Sequence, residues 1–197
     1  MRNPPVTPTL DHMKGEKIMS FAKIRRALAV ASTAIAGLAL TGTGVAHAKT
    51  TYYEIVAEHS GRCLDVQDAS RAHGANVLQA YCVNGYNQQW ALVPTDSGYF
   101  KLVARHSGKC LDVQDASRFH GANVLQATCW SPGYNQQWKM RTMGGPKWRG
   151  TGTPFELIAR HSGLCLDVQD ASRAHGANVL QAICKGRPNQ IWRLRTP

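Results

Sequence analysis
One block of twenty residues, written three times, constrains this chain more than any other feature. Cys63 to Cys82 reads CLDVQDASRAHGANVLQAYC, Cys110 to Cys129 reads CLDVQDASRFHGANVLQATC, and Cys165 to Cys184 reads CLDVQDASRAHGANVLQAIC. Only two of the twenty positions vary among the copies. An apolar run and a turn precede each block (YEIVAEHSG, FKLVARHSG, FELIARHSG), and a Gln-x-Trp follows it, at Gln88–Trp90, Gln136–Trp138 and Gln190–Trp192. A repeat of this length is one supersecondary unit copied. The units run over about 52–98, 99–154 and 155–197. The second is longer by one residue after Cys129 and seven around Met143 to Thr153, a Gly-rich stretch that reads as a surface loop.

The unit is β-rich. Ile55-Val56, Leu64–Val66, Val77-Leu78 and Trp90–Val93 are short apolar stretches about ten residues apart with turn residues between them. Nothing after residue 48 holds a helical period for three turns. Four strands per copy give about twelve in all. A β-propeller repeats near this length but closes with at least four blades. Three copies point instead to a closed, pseudo-threefold β-barrel.

The N-terminus lies outside that repeat. Met19 to Ala48 reads as a secretory signal: Lys23, Arg25 and Arg26 precede the Ala-rich apolar run Ala27–Leu40, and Ala46-His47-Ala48 is a small-x-small cleavage site. The run is about 14 residues, short of the roughly 20 that a membrane-spanning helix needs. Residues 1–18, with Pro4, Pro5 and Pro8, are either an upstream extension of the true start at Met19 or a long leading segment of the signal. Cleavage would leave 49–197, which carry 17 Lys/Arg against 10 Asp/Glu with no basic run. Scattered positive charge suits solubility and excludes the clustered stripe that a nucleic-acid partner wants. All six cysteines fall in this part, and an even count in an exported chain points to disulfides.

The pattern Cys-Leu-Asp-Val, a hairpin, a Gln before the second Cys, then Asn-Gln-x-Trp resembles the ricin B-chain type of β-trefoil lectin, in its secreted bacterial form. The resemblance covers Tyr52 to Pro197. It implies an all-β trefoil domain over 49–197 that binds oligosaccharide or polysaccharide outside the cell. No catalysis, cofactor, metal or nucleic-acid partner is expected, nor membrane insertion after signal cleavage, and the chain is expected to be a monomer.

The resemblance also assigns roles. Trp90, Trp138 and Trp192 pack the barrel interior. Repeat symmetry selects Cys63–Cys82, Cys110–Cys129 and Cys165–Cys184 from the fifteen pairings that six cysteines allow. Asp65, Asp112 and Asp167 accept hydrogen bonds from sugar hydroxyls; the alternative is that each only ties down its own hairpin. Asn87, Asn135 and Asn189 are the second ligands. Gln79, Gln126 and Gln181 match a further polar contact, and Gln88, Gln136 and Gln190 are structural with a secondary contact to sugar. Family sites place an aromatic after the first of these glutamines, where this chain has Ala80, Ala127 and Ala182. Tyr86 and Tyr134 stand in as stacking rings, and the third copy has Pro188 there. That predicts two similar sites, at Asp65 and Asp112, and a weaker third at Asp167.

Two readings compete with a lectin. His59, Ser60 and Asp65 invite a hydrolytic triad, but that set recurs at matching positions in every copy, whereas a hydrolytic site is assembled once. A protease-inhibiting or other protein-binding trefoil shares the barrel but lacks the threefold motif. The paired histidines (His59 and His73, His106 and His120, His161 and His175) are turn residues, pocket residues, or a metal trio on the threefold axis.

Overall fold
The computed structural model describes residues 49–144 and 152–197. The signal reading of 19–48, the segment 1–18 and the centre of the Met143–Thr153 loop lie outside them. Twelve strands occur among the described residues, four per repeat. The first repeat holds β1 (Tyr52–Ala57), β2 (Cys63–Val66), β3 (Val77–Ala80) and β4 (Gln89–Pro94). The second holds β5 (Phe100–Ala104), β6 (Cys110–Val113), β7 (Val124–Ala127) and β8 (Trp138–Thr142). The third holds β9 (Phe155–Ala159), β10 (Cys165–Val168), β11 (Ala177–Ala182) and β12 (Trp192–Arg195).

The first and last strands of each repeat make the barrel. β1 pairs with β4, β4 with β5, β5 with β8, β8 with β9, β9 with β12 and β12 with β1, all antiparallel. That circuit returns to its start, so these six strands leave no open edge. The middle strands form three hairpins, β2–β3, β6–β7 and β10–β11, that cap one end. Together they are a β-trefoil. The caps interlock through a ring of asparagines. Asn76 donates to Asn178, Asn178 to Asn123 and Asn123 to Asn76, each amide to the next carbonyl at 3.0 Å.

Alternation along the strands sends one face inward. Ile55, Leu64, Leu102, Leu111, Leu157 and Leu166 have no solvent exposure, and neither do Trp90, Trp138 and Trp192. Each indole N–H reaches a strand carbonyl, of Leu64 (3.1 Å), Leu111 (3.1 Å) or Leu166 (3.2 Å), so the burial leaves no donor unpaired. Trp90→Ala is expected to cost about 3–5 kcal/mol in denaturant-induced unfolding. Three disulfides, Cys63–Cys82, Cys110–Cys129 and Cys165–Cys184, close the hairpin blocks, and no cysteine is free among the described residues.

The Gln-Asp-Ala after each Cys-Leu-Asp-Val is a single 3-10 turn with left-handed backbone: φ is 56° at Asp68, 55° at Asp115 and 55° at Asp170, and the alanine after each is also positive. Non-glycine residues seldom adopt such angles. The same angles recur in all three copies, and such backbone clusters beside functional sites.

Candidate functional site
The first strand of each cap hairpin carries an aspartate, and in the second and third repeats it lies in a depression. The Asp sits third in Cys-Leu-Asp-Val, between residues wholly in the core, and is itself only 6 % exposed at Asp65, 5 % at Asp112 and 7 % at Asp167. A second 3-10 turn, Tyr86–Gln88 in the first repeat, carries the amides that hold it. Asp65 accepts from Asn87 Nδ2 at 3.0 Å and Gln88 Nε2 at 2.7 Å. Asp167 accepts from Asn189 at 3.0 Å and Gln190 at 2.8 Å. Asp112 accepts from Gln136 at 2.7 Å, while Asn135 donates to the Val113 carbonyl at 3.1 Å. A carboxylate offers about four acceptor positions. The protein uses at most two, and the rest are open to a hydroxyl donor.

Burial disfavours the charged form of these groups. It raises the pKa of Asp65 and Asp167 and pushes Asp112 up to about 6, against the opposing pull of the Gln136 amide. The folded state therefore holds the Asp112 proton more tightly than the unfolded chain does. This group's contribution to stability is full below about pH 3.8 and is lost as pH rises through about 6. Asp112→Asn is expected to raise Tm by a few degrees at pH 7.5 and to leave it unchanged near pH 4, as read by calorimetry at the two pH values.

Two open pockets surround these carboxylates. The one at Asp112 is about 280 Å³ and includes Asp115, Thr128, Trp130, Asn135 and Gln136. The one at Asp167 is about 400 Å³ and includes Asp170, Ile183, Lys185, Arg187, Asn189 and Gln190. At the first repeat the position of Thr128 and Ile183 is Tyr81, whose ring lies 4.3 Å from the Arg62 guanidinium and stacks on His175 at 5.0 Å.

The sites are composite. His73 of the first repeat lines the Asp112 pocket of the second, and His120 of the second lines the Asp167 pocket of the third. His73 Nδ1 accepts the Thr128 amide (3.1 Å), His120 Nδ1 that of Ile183 (3.2 Å) and His175 Nδ1 that of Tyr81 (3.2 Å). A nitrogen that accepts an amide hydrogen carries no proton. In each neutral ring the hydrogen is therefore on Nε2, a donor. Asp115 and Asp170, both on left-handed backbone, join the pocket walls.

Other residues singled out in the sequence lie elsewhere. Gln79, Gln126 and Gln181 are wholly buried and line neither pocket. Gln79 donates to the carbonyls of Ser172 (2.8 Å) and Ala174 (2.9 Å) and accepts from Ser60 (2.7 Å), so it bolts one repeat to the next. Gln126 and Gln181 do the same with Ser70 and Ala72, and with Ser117 and Phe119. Tyr86 and Tyr134 are exposed, each with one face covered by an arginine, Arg105 at 3.9 Å and Arg160 at 4.5 Å. Tyr134 borders a neighbouring cleft and is not among the residues around Asp112. His59, Ser60 and Asp65 form no triad: His59 bonds the Ser172 carbonyl, Ser60 bonds Gln79, and Asp65 bonds Asn87 and Gln88. His73 and His120 take the pocket role, one of the three open to the paired histidines in the sequence; the residues that sequence reasoning passed over are Asp115, Asp170, Trp130, Lys185 and Arg187. Only Trp130 gave a local signal, as a large aromatic directly after a cysteine in one copy alone.

A threefold barrel whose flanks carry shallow carboxylate-and-amide pockets defines a β-trefoil of the carbohydrate-binding class. The chain belongs to the ricin-type beta-trefoil lectin domain-like family, whose model matches residues 43–127 and 134–197. Among solved structures it is similar to ThreeFoil, a designed 3-fold symmetric protein, at 51 % identity and a TM-score of 0.67, covering 74 % of this chain and 99 % of that one. It is also similar to 1,3Gal43A, an exo-beta-1,3-galactanase from Clostridium thermocellum, at 36 % identity and a TM-score of 0.68, covering 75 % of this chain but 30 % of the enzyme. The ricin B-like lectin of Macrolepiota procera, solved in complex with lactose, shares the fold at 15 % identity and a TM-score of 0.60, covering 76 % of this chain and 98 % of the lectin. A comparison with curated protein sequences finds no match.

Proposed function
We propose that this protein is an exported lectin with one sugar site per repeat, built on Asp65, Asp112 and Asp167. One observation carries the reading: in every repeat a nearly buried carboxylate, held by a Gln side chain and in the first and third repeats by an Asn as well, spends only part of its acceptor capacity on the protein. Charge-assisted acceptors of this kind suit sugar hydroxyls. An Nε2–H donor from the preceding repeat adds the complementary polarity at the same wall. Neutral sugar polymers are the favoured targets, and the lactose complex of the Macrolepiota procera lectin together with the galactanase relative make galactosides the first to test. Repetition serves avidity: free monosaccharide binds weakly, and a polymer that spans several sites binds roughly 10²–10⁴-fold tighter. A glycan array beside a protease-inhibition panel separates this reading from a protein-binding trefoil.

Short-range recognition by Asp, Asn and Gln also fixes the salt response. Affinity for a neutral polymer is expected to change less than about twofold between low salt and 0.5 M, where screening falls to a few ångström. A collapse of affinity over that range would mean that net charge captures an anionic polymer. Export rests on the signal-like N-terminus and on three disulfides. No helix among the described residues is long and apolar enough to cross a membrane. N-terminal sequencing of secreted protein should begin at Lys49; recovery from cytoplasm alone, with residues 1–48 attached, would contradict export.

A further inference from the structure
Trp130 breaks the threefold symmetry where it matters most for a ligand. It follows the second cysteine of the second repeat, where the first has Val83 and the third Lys185. Its indole is 52 % exposed, and it borders two depressions at once. One is the Asp112 pocket. The other is a cleft of about 230 Å³ between Arg118, Pro132, Tyr134 and His161. Both share Ala116, Trp130 and Asn135, so they adjoin at the indole.

The Trp130 backbone and the Tyr134 ring are held before any ligand arrives. The Trp130 amide donates to Gln136 Oε1 at 3.1 Å, and its carbonyl accepts from Lys101. The chain then turns tightly beneath it. Gly133 has φ +54°, and a Cβ there would lie 2.6 Å from the Trp130 carbonyl oxygen, so only glycine fits. Tyr134 rests on Arg160, which is pinned by Asp96 and by Gln137 Oε1 at 2.6 Å. Rigid aromatics lose little freedom on binding, and that raises affinity. Arg118 makes no ion pair among the described residues and leaves its N–H groups free for hydroxyls. The third repeat has Lys185 and Pro188 at the positions of the two rings, and the first has only Tyr86.

We propose that this cleft is a second sugar subsite, so that the second repeat binds two consecutive residues of one glycan chain while the other repeats bind one. The inference rests on the reading of Asp112 as a sugar ligand. The first residue sits at Asp112 and the next crosses Trp130 to lie against Tyr134 and Arg118. Stacking on these rings makes the second repeat the tightest of the three sites.

The test uses the full secreted chain with Asp65→Asn and Asp167→Asn, which leaves one working site. Calorimetric titration compares galactose with lactose and β-1,3-galactobiose, and glucose with cellobiose. At least one disaccharide is expected to bind about 10-fold tighter than its monosaccharide. Adding Arg118→Ala and Tyr134→Ala should erase that gain and leave the monosaccharide Kd within about twofold, while Tyr134→Phe should keep the gain. Both side chains are exposed, so an unchanged Tm checks the fold. A gain that survives the double substitution overturns the subsite, and so does a monosaccharide that binds as tightly as every disaccharide. If no sugar binds and Asp112→Asn changes nothing, the Asp112 reading itself fails and this inference falls with it.

Discussion

Replacing Asp65, Asp112 and Asp167 together by alanine is expected to abolish polysaccharide binding while the protein stays folded. Each change removes the only carboxylate that lies at the pocket mouth and is gripped by the repeat's own amides. Loss of a charge-assisted hydrogen bond costs about 1.5–3 kcal/mol at one site. Three sites acting through avidity multiply that loss, so the polymer Kd should rise by at least about 10³. The fold is spared for a physical reason. Burial already works against the ionised carboxylates, and each freed Gln amide keeps a backbone partner: Tyr81 (2.7 Å), Thr128 (3.0 Å) or Ile183 (2.9 Å). Among single changes Asp112→Ala should cost most, because Trp130 stands in that pocket. Affinity electrophoresis against an immobilised glycan, with Tm from calorimetry, reads both outcomes. A triple variant that still bound glycan would make these aspartates hairpin ties and nothing more.

Reduction is expected to have the largest effect on stability. Each disulfide spans 19 residues in sequence with its Cα atoms 5.1 Å apart, so it closes one hairpin block. Opening a loop of this length costs about 3 kcal/mol in the chain-entropy model. Three together approach the whole stability of an ordinary domain, about 5–15 kcal/mol. Tm should fall by tens of degrees on reduction, since about 1 kcal/mol corresponds to several degrees in a domain of this size. Calorimetry with and without a phosphine reductant measures it, with thiol titration to confirm that all six sulfurs are freed. A fall of less than about 5 °C would show that the barrel and its buried tryptophans hold without the closed loops.

Acidification provides a check on the second site alone. The ionised carboxylate is the better acceptor, and Asp112 takes up its proton at about 6. With Asp65 and Asp167 replaced by Asn, sugar affinity should fall as pH drops from 7.5 through 6 to 5, whereas folding stability attributable to this group should rise. Opposite movement of the two readouts distinguishes protonation of the site from acid unfolding.

The threefold β-architecture, the disulfide pairing, the tryptophans of the core and the aspartates of the candidate sites were legible in the amino-acid sequence. The architecture and the cysteine pairing follow from one unit copied three times, and the roles of Trp and Asp from the family motif that each copy carries. Which repeat abuts which came from the folded chain alone. Gln79 looks like a pocket residue in a single copy, yet its bonds run 93 and 95 residues ahead to Ser172 and Ala174. His73 looks like a hairpin-tip residue, yet its ring meets Thr128, 55 residues on, and lines the next repeat's pocket. Tyr134 stands beside Asn135 in sequence, but its ring lies against the Arg160 guanidinium and lines the adjoining cleft. Near-identical copies carry no mark of their own neighbour, because the same residues serve both sides of every seam. Closing the barrel from β12 back to β1 fixes that order, and with it the composite walls of the pockets.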